Sequence, residues 1–303
     1  MGTIDTLASA SRRLPVFPGK AKVGRLIAGT LARGGSNPLV TVEDREASLL
    51  LDARSRSESA FVWNGINDYL PGVLSRLLDV YGGTLYDIGA NVGRICVPAA
   101  VHSARDVRVV AFEPVRANSA RLQHNLASNG RSARSTVVEA ALSDAAGETT
   151  IAVEAAMGAA TGNAMLGNDV PWDPHARTEV VRLARLDELV DELALPSPDV
   201  VKIDVEGAEV AVLRGARRTL ATSRPVIVGE FNSGLMPTFG TTFLDVLPNM
   251  PGGYEVYSFT SDKAVRRTSP RVGLGEVLLV PRERAEELST ALDVRPSTDG
   301  ETR

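Results

Sequence analysis

The hydrophobic positions along this chain change from helical spacing to strand-length runs near residue 80. From Val42 to Leu78 the spacing is helical, and it predicts one helix over Glu43–Ala53 and a second over Asn67–Val80. In the second helix, Leu and Val residues recur at intervals of three and four, which places them on one face. We therefore expect residues 1–80 to form an N-terminal arm and a helical cap ahead of a second domain.

From Thr84 onward, short apolar runs alternate with helical segments and turns. The runs predict strands at Thr84–Tyr86, Val107–Phe112, Thr136–Leu142, Glu148–Val153, Val180–Leu183, Asp199–Ile203, Pro225–Gly229, Tyr254–Phe259 and Glu276–Val280. Helical spacing predicts helices at Asn118–Asn129, Leu186–Leu193 and Glu209–Leu220. This alternation is typical of an α/β fold with a doubly wound, mostly parallel sheet, to which the last strands add an antiparallel edge. The polar tail 284–303 is expected to fray.

A glycine turn joins the first of these strands to a helix, over the sequence Tyr86 to Gly93. Gly89 permits a tight turn with an unusual φ, and Gly93 permits close approach of the backbone to a ligand or of the helix to the strand. Asn91 replaces the middle glycine of the dinucleotide-binding pattern, and no Gly-Lys-Ser/Thr follows as in a P-loop. Asp87 suits a ligand with a cationic or hydroxyl-rich part. The turn alone is equally compatible with a plain strand–helix connection.

The composition is that of an ordinary soluble protein, with 44% hydrophobic residues, a mean hydropathy of -0.01 and a net charge of -4. This charge argues against nucleic acid as a partner. No apolar run is long enough to cross a bilayer, and the N-terminus lacks the apolar core of a secretory signal, so we expect a cytoplasmic protein. The single cysteine, Cys96, lies in an apolar helical run and is expected to be a small buried hydrophobic residue.

Residues 1–40 differ from the rest of the chain in charge. Six Lys and Arg residues face a single acid, Asp5, so this segment carries a net charge of +5. Glycine and proline interrupt it, which favours a partly ordered arm. Two sharper hypotheses are a lid over the active site and an arm that touches an anionic membrane surface. We favour an arm or lid over membrane contact.

Acidic residues follow five of the predicted strands: Asp87, Glu113, Asp144, Asp204 and Glu230. In doubly wound sheets, ligands bind outside the carboxyl ends of the strands, so these acids are candidate site residues. Glu113 lies about one βαβ unit beyond Asp87 and can accept both hydrogen bonds of a ribose diol. Asp144 is placed to meet an adenine amino group, although Ser-Asp before Ala-Ala-Gly is also good turn chemistry.

The acids Asp204, Glu206 and Glu209 surround one turn and the start of a helix. Helix capping and the helix dipole explain Glu206 and Glu209, whereas Asp204 ends a buried strand and needs another explanation. Asp204 and Glu230 could share a hard divalent cation, or one carboxylate could act as general base toward a substrate hydroxyl. Lys202, inside the same apolar strand, either reaches a strand-end acid or points into the site.

Residues 155–178 are small and irregular, and they predict a long loop inside a compact domain. Such loops are often functional. This loop contains Trp172, which could stack on a sugar ring or anchor the loop, and His175, which is either a plain loop histidine or a second candidate base.

Four segments in the same order resemble the FkbM-type S-adenosylmethionine-dependent methyltransferases: Tyr86–Gly93, Ala111–Pro114, Ala141–Asp144 and Val201–Glu209. The resemblance runs from about Phe61 to about Val280. It implies a Rossmann-like class I methyltransferase domain over residues 81–283, with a seven-stranded sheet and the cofactor at the ends of the first strands. Proteins of this family typically methylate hydroxyls of sugars or natural-product scaffolds.

The resemblance also implies roles for individual residues. Glu113 would hold the ribose diol of S-adenosylmethionine, and Asp204 would lie beside the transferring methyl group. The implied cofactor-binding residues are Tyr86, Asp87, Gly89, Asn91, Gly93, Glu113, Pro114, Ser143, Asp144 and Asp204. Related sugar O-methyltransferases hold Mg²⁺ with strand-end acids, which implies Asp204 and Glu230 as metal ligands, with Asn232 or Asn163 completing the shell.

The leading hypothesis is O-methylation of a hydroxyl on a sugar or glycosylated natural product, in secondary-metabolite or glycan biosynthesis. Glu206, His175 or a metal at Asp204 and Glu230 would ease proton loss from the acceptor. N-methylation of an amino-sugar or peptide amine and a non-catalytic cofactor-binding module remain alternatives. An NAD-dependent oxidoreductase is disfavoured by Asn91 and Asp87. We expect a small-molecule acceptor as partner, and homo-oligomerisation stays open.

Overall fold

The computed structural model describes residues 2–65, 68–156, 159–166, 177–269 and 275–296. Its strands are β1 (Leu39–Asp44), β2 (Ala47–Asp52), β3 (Thr84–Ile88), β4 (Arg108–Phe112), β5 (Ser135–Val138), β6 (Ala141–Leu142), β7 (Gly147–Ala156), β8 (Ala159–Leu166), β9 (Arg177–Ala184), β10 (Val200–Ile203), β11 (Val226–Phe231), β12 (Tyr254–Phe259), β13 (Val265–Arg267), β14 (Gly275–Pro281) and β15 (Val294–Arg295).

The helices are α1 (Thr3–Arg12), α2 (Lys20–Arg33), α3 (Ser59–Asn64), α4 (Leu70–Tyr81), α5 (Cys96–His102), α6 (Arg116–Ser128), α7 (Leu186–Glu192), α8 (Glu209–Gly215), α9 (Arg217–Ser223) and α10 (Leu288–Ala291). Short 3₁₀ turns cover Ser132–Arg134, Met236–Phe239, Phe243–Asp245, Leu247–Asn249 and Arg282–Glu287. In the part of the chain that the structure describes, no helix combines the length and apolar character needed to cross a membrane.

The main sheet has the strand order β15-β13-β12-β14-β11-β10-β3-β4-β5. Strands β5, β4, β3, β10 and β11 are parallel, and β14 runs antiparallel to both of its neighbours, β11 and β12. The predicted α/β, doubly wound and mostly parallel fold is therefore confirmed. The reversed strand lies inside the sheet rather than at its edge, and β13 and β15 extend the sheet to nine strands within the described residues.

Both faces of this sheet are buried, which is why its strands are nearly continuous apolar runs. Alternate side chains enter two separate cores. Leu85 and Val109 pack with α4, α5 and α6, whereas Tyr86 and Val110 pack with α7, α8 and α9. The topology brings the carboxyl ends of β3, β4, β10 and β11 to one edge, where ligands bind in such sheets.

The predicted helix over Glu43–Ala53 is wrong. The segment forms a hairpin in which β1 and β2 are antiparallel, with Leu49 and Leu51 buried and Leu50 half-buried. This is the period-two pattern of a strand rather than the spacing of a helix. Arg45 adopts a positive φ of 52° at the hairpin tip. The N-terminal arm in turn contains two helices, α1 and α2, which pack on α3.

The predicted long loop over 155–178 is also wrong in part. Strand β8 pairs antiparallel with β7, and β7 pairs with β9, in a second sheet of order β6-β9-β7-β8. Small residues such as Ala and Gly do not exclude a strand when a neighbouring strand pairs with their backbone groups. Trp172 and His175 lie outside the described residues.

The part of the expected fraying tail that the structure describes, residues 284–296, packs against the domain. Leu288 and Leu292 are buried, and Arg76 Nε donates a hydrogen bond to Ala291 O, which ties α10 to α4. Strand β15 pairs in parallel with β13. A few apolar anchors thus hold a segment whose composition is mostly polar. The predicted helix at Asn67–Val80 is confirmed as α4, and Cys96 is buried as expected.

Candidate functional site

A cavity of about 230 Å³ lies at the carboxyl ends of β3, β4 and β10. Its wall combines the glycine turn, the loop after β4, the segment around β6, and the turn between β10 and α8. Of the sequence-predicted site residues, the structure brings these together as lining: Gly89, Asn91, Glu113, Pro114, Asp204, Glu206 and Glu230. Three of the five strand-end acids, Glu113, Asp204 and Glu230, thus line the cavity at one edge of the sheet.

The glycine turn needs glycine at two positions for different reasons. Gly89 has a φ of 77°, and a Cβ there would lie 1.9 Å from the carbonyl oxygen of Asp204. Its amide and that of Ala90 donate to Phe112 O at 3.0 and 3.1 Å, which fixes the turn to β4. At Gly93, whose φ is 80°, a Cβ would lie 2.5 Å from Leu122 Cδ1. Gly93 therefore serves packing against α6 rather than the cavity.

Glu113 is a buried carboxyl group held in one orientation by the chain. Its Oε2 accepts the amide of Asn91 at 2.8 Å, and its Oε1 accepts the amide of Val115 at 3.0 Å and the side-chain amide of Asn118 at 3.2 Å. Burial raises the pKa of Glu113 to about 7, although these hydrogen bonds and the charge of Lys202 oppose the rise. A fixed acceptor pair in a cavity wall is suited to a hydroxyl-rich ligand.

Lys202 is the buried cation of the site. Its Nζ donates to Gly89 O at 2.9 Å and lies 3.2 Å from Asp87 Oδ1 and 3.4 Å from Asp204 Oδ2. Burial alone would lower the pKa of Lys202, but Asp87 and Asp204 outweigh it and raise the pKa. Because Asp87 is fully buried opposite Lys202 in the paired strands, this ion pair ties the glycine turn to β10. Both predicted positions of Lys202 are found together, since its ammonium group reaches the strand-end acids and its side chain also lines the cavity.

Asp204, Glu206 and Glu230 form a group of carboxylates in the cavity wall, and Asp204 also lies beside Lys202. Burial, followed by the charges of Asp204, Glu230 and Glu209, raises the pKa of Glu206 to about 7. Burial and the charges of Asp204 and Glu276 also raise the pKa of Glu230. Carboxyl groups in this state can take up a proton near neutral pH.

Glu206 stands in a strained turn. Its φ is 54°, a left-handed conformation that is uncommon for a residue other than glycine, and Gly207 follows with a φ of 104°. The amide of Gly207 donates to Glu209 Oε1 at 2.9 Å. Glu209 therefore holds the turn ahead of α8, whose N-cap residue is Ala208 and makes no side-chain cap hydrogen bond, whereas Glu206 lines the cavity.

Sequence reasoning missed Arg94 and Ser57, which also line the cavity. Arg94 Nη1 donates to Asp68 Oδ2 at 2.8 Å, and its guanidinium lies 4.3 Å from the centre of the Phe61 ring. The position of Arg94 directly after the glycine turn could have indicated a site residue, because a side chain there lies near the carboxyl end of β3. Ser57 comes from the loop before α3, and no sequence pattern connects that loop to this edge.

Other predicted residues lie away from the cavity. The Tyr86 hydroxyl donates to Pro196 O at 2.6 Å, and the ring packs in the core against Phe112. The Ser143 hydroxyl donates to Asp144 Oδ1 at 3.3 Å, and Asp144 lies 3.8 Å from Arg214. The part of the wall that was expected from Ser143 and Asp144 is instead made by Ala140, Ala141 and Leu142, with Ile151 of β7.

The expected metal site gains no support from the geometry. Among the described residues, no group of three or more His, Cys, Asp and Glu side chains is arranged to hold a metal ion. Asp204 already faces the ammonium group of Lys202. Asn232 Oδ1 accepts the amide of Gly234 at 3.0 Å, and the side chain of Asn163 lies outside the described part.

Comparison of the sequence with models of known protein families finds a match over the second part of the chain. Residues 87–259 match the family model described as "Methyltransferase FkbM domain". The match begins at Asp87 and includes the glycine turn, Glu113 and the carboxylates of the cavity. It covers more than half of the chain.

Individual relatives match over shorter parts. The chain is 31% identical over 160 residues to the hexuronic acid methyltransferase AglP of Haloferax volcanii, a stretch that covers 53% of this chain and 60% of the relative. It is 34% identical over 160 residues to the AMB antimetabolite synthetase AmbE of Pseudomonas aeruginosa, covering 43% of this chain and 7% of the relative. The chain thus spans less than two thirds of either relative.

Among solved structures, the methyltransferase FkbM of Methylobacillus flagellatus aligns with a TM-score of 0.43 at 16% identity. The alignment covers 86% of this chain and 60% of that one.

Proposed function

The chain belongs to the FkbM methyltransferase family, and we propose that it transfers the methyl group of S-adenosylmethionine to a hydroxyl of a sugar or glycosylated natural product. The observation that carries the proposal is the cavity itself. It joins the buried, fixed carboxyl group of Glu113 to the carboxylates of Asp204, Glu206 and Glu230 at one edge of the sheet.

The residues present fit S-adenosylmethionine. Glu113 would accept the hydroxyls of the ribose, and the close backbone of the glycine turn at Gly89 leaves room for the methionine part. Phe112 and Leu142 would supply an apolar wall for the adenine ring. Asp204 would lie toward the cationic end of the cofactor. When bound, the cofactor supplies a methyl group that is already activated by a positively charged sulfur.

The protein's own task is then to place the acceptor and remove its proton. We propose Glu206 as the general base, with Glu230 or Asp204 as its neighbour in the same group. A base is most effective when its pKa is near the working pH, and burial raises the pKa of Glu206 to about 7. As the acceptor oxygen forms its bond to the methyl carbon and the bond from that carbon to sulfur breaks, the hydroxyl proton would pass to the Glu206 carboxylate. His175, the other candidate base, stays a hypothesis outside the described residues.

A sugar acceptor is supported by the relative that is named a hexuronic acid methyltransferase. The group of carboxylates also favours an acceptor without negative charge, because like charges in a cavity repel. The same group would stabilise a cationic amine, so an amino-sugar or peptide amine is the second candidate. Neutral sugars, amino-sugars and hexuronic acids are therefore the three acceptor classes to compare.

Calorimetric titration with S-adenosylmethionine tests the cofactor. We expect micromolar binding that is lost in Glu113→Gln and retained in Glu286→Gln, a matched change at an exposed glutamate. Binding of NAD⁺ alone, or of neither cofactor, would contradict the proposal.

Methyl transfer from labelled cofactor to the three acceptor classes tests the reaction, with each assay repeated in Mg²⁺ and in EDTA. Transfer to neutral sugars that Glu206→Gln abolishes, without loss of cofactor binding, supports the proposed base. A rate that depends on Mg²⁺ and falls in Glu230→Gln would instead assign Asp204 and Glu230 to a metal. Cofactor binding without transfer to any acceptor, in the presence of intact Glu206, would favour a non-catalytic module.

A further inference from the structure

The exposed large apolar side chains of the described residues are concentrated near the N-terminus. Seven of the eleven exposed large apolar side chains in the described part of the chain lie between residues 7 and 27. Six of them lie in two neighbouring segments, and we call them the N-terminal patch: Leu14, Val16 and Phe17 in the connection between α1 and α2, and Val23, Leu26 and Ile27 on α2. Each is at least 42% exposed.

Helix α2 exposes its larger apolar side chains and buries its small ones, which is the reverse of an ordinary surface helix. Its inner face carries small residues, Gly24, Ala28 and Gly29, and a Cβ at Gly24 would lie 2.2 Å from Trp63 Cδ2. The spacing of Val23, Leu26 and Ile27 places these larger apolar residues together on the outer face. Large apolar side chains exposed together on one helix face are typical of a surface that contacts another body.

Cations surround the patch. Arg13, Lys22 and Arg33 are exposed, and none of them forms an ion pair with a carboxylate that the structure describes. Residues 1–40 carry a net charge of +5 and the whole chain -4, so the remainder carries -9. The patch is therefore the positive end of an otherwise acidic protein.

The patch is also preformed. Lys20 Nζ donates to Leu14 O at 2.9 Å, which ties the connection to α2. Ser11 Oγ donates to Trp63 O and Arg12 Nη1 to Val62 O, both at 3.0 Å, which ties α1 to α3. Among the described residues that line the cavity, none comes from 1–40, so the lid hypothesis gains no support from this packing.

We propose that the N-terminal patch docks on the surface of an anionic membrane, with the apolar side chains in the headgroup region and the cations on lipid phosphates and carboxylates. Exposed apolar residues combined with Lys and Arg on one helix are the requirements for such binding. A second copy of this chain fits less well, because a symmetric interface would place the positive patch against itself. The proposal does not depend on the proposed methyl transfer.

Co-sedimentation of the full chain with lipid vesicles tests the proposal. We expect binding to vesicles of phosphatidylcholine with roughly one third phosphatidylserine, little binding to phosphatidylcholine alone, and weakening by salt. Leu26→Ser should lower the partition coefficient about tenfold or more, since a buried leucine side chain is lost. Lys22→Gln and Arg33→Gln should each lower it about fivefold.

Matched controls are Val180→Ser, at an apolar side chain exposed elsewhere, and Arg108→Gln, at an exposed cation elsewhere. Both should bind as the unaltered chain does, and all variants should unfold at the same temperature because the changed side chains are exposed. Absence of vesicle binding, equal binding to both vesicle types, or unchanged binding by Leu26→Ser and Lys22→Gln would overturn the proposal. So would a dimer that Leu26→Ser dissociates without any binding to vesicles.

Discussion

Glu113→Gln tests whether burial sets the protonation state of the Glu113 carboxyl group. The side chain is 4% exposed, and burial raises its pKa from 4.5 to about 7. The difference between these two values corresponds to about 3 kcal/mol of unfolding free energy, at about 1.4 kcal/mol for each tenfold change. The substitution removes the titrating group while keeping the shape of the side chain.

The direction of the effect follows from linkage. Because the folded-state pKa is raised, the folded protein retains this proton between pH 4.5 and about 7, where the unfolded chain has released it. The stabilisation by Glu113 is fully present below pH 4.5 and is lost as the pH rises through about 7. Glutamine does not titrate. The stability of Glu113→Gln relative to the unaltered chain should therefore increase by about 2–3 kcal/mol between about pH 5 and about pH 8.

The total change in the unfolding free energy of Glu113→Gln combines the gain from removing the titrating group with a loss of hydrogen bonds. Glutamine offers one acceptor oxygen to the amides of Asn91, Val115 and Asn118, and an amide left unpaired costs about 1–3 kcal/mol. At about pH 8 this gain and this loss nearly cancel, so we expect the variant to fold normally and, as proposed above, to lose binding of the cofactor.

Urea unfolding at the two pH values measures the difference in free energy for Glu113→Gln and for the control Glu286→Gln. The control should show no dependence on pH. A difference for Glu113→Gln that is the same at both pH values would refute the argument, because Glu113 would then titrate alike in the folded and unfolded states.

Three further changes follow from the same geometry. Glu206→Gln should lower kcat/KM by about 10²–10⁴-fold. In the unaltered chain, kcat/KM should rise with pH as Glu206 loses its proton near pH 7. This rise should be absent from the pH profile of the variant. Gly89→Ala should destabilise the fold by roughly 3 kcal/mol or more, because the new Cβ would meet the carbonyl oxygen of Asp204 in a left-handed turn. A thermal midpoint equal to that of the unaltered chain would contradict this prediction. Lys202→Met should cost roughly 3–5 kcal/mol by leaving Asp87 buried without its counter-ion, and adding Asp87→Asn should recover part of the loss in a double-mutant cycle.

Local patterns predicted the main sheet well. Apolar runs at β3, β4, β10 and β11 are unambiguous because both faces of these strands are buried. An apolar run does not distinguish a strand from a helix where only one face of the segment is buried. The run Leu49-Leu50-Leu51 satisfies a helical and a strand pattern equally, and only its pairing with β1 decides for the strand.

Some features of the candidate site could likewise be predicted from local sequence, and others could not. That Glu113, Asp204, Glu206 and Glu230 meet at one edge follows from their places at strand ends and from the rule that parallel strands share a carboxyl edge. That Ser143 and Asp144 turn away, and that Arg94 and Ser57 enter, follows from neighbours distant in sequence.

The sequence by itself determined the fold class and the family, because strand length, glycine positions and the order of strand-end acids are local properties of the chain. Only the tertiary structure decided the burial of each acid and the partner that each one meets. The raised pKa of Glu113, the ion pair of Lys202 with Asp87, and the outward apolar face of α2 all depend on which distant segments exclude water from a given atom. Desolvation is a property of the packed neighbourhood, and no local pattern encodes it.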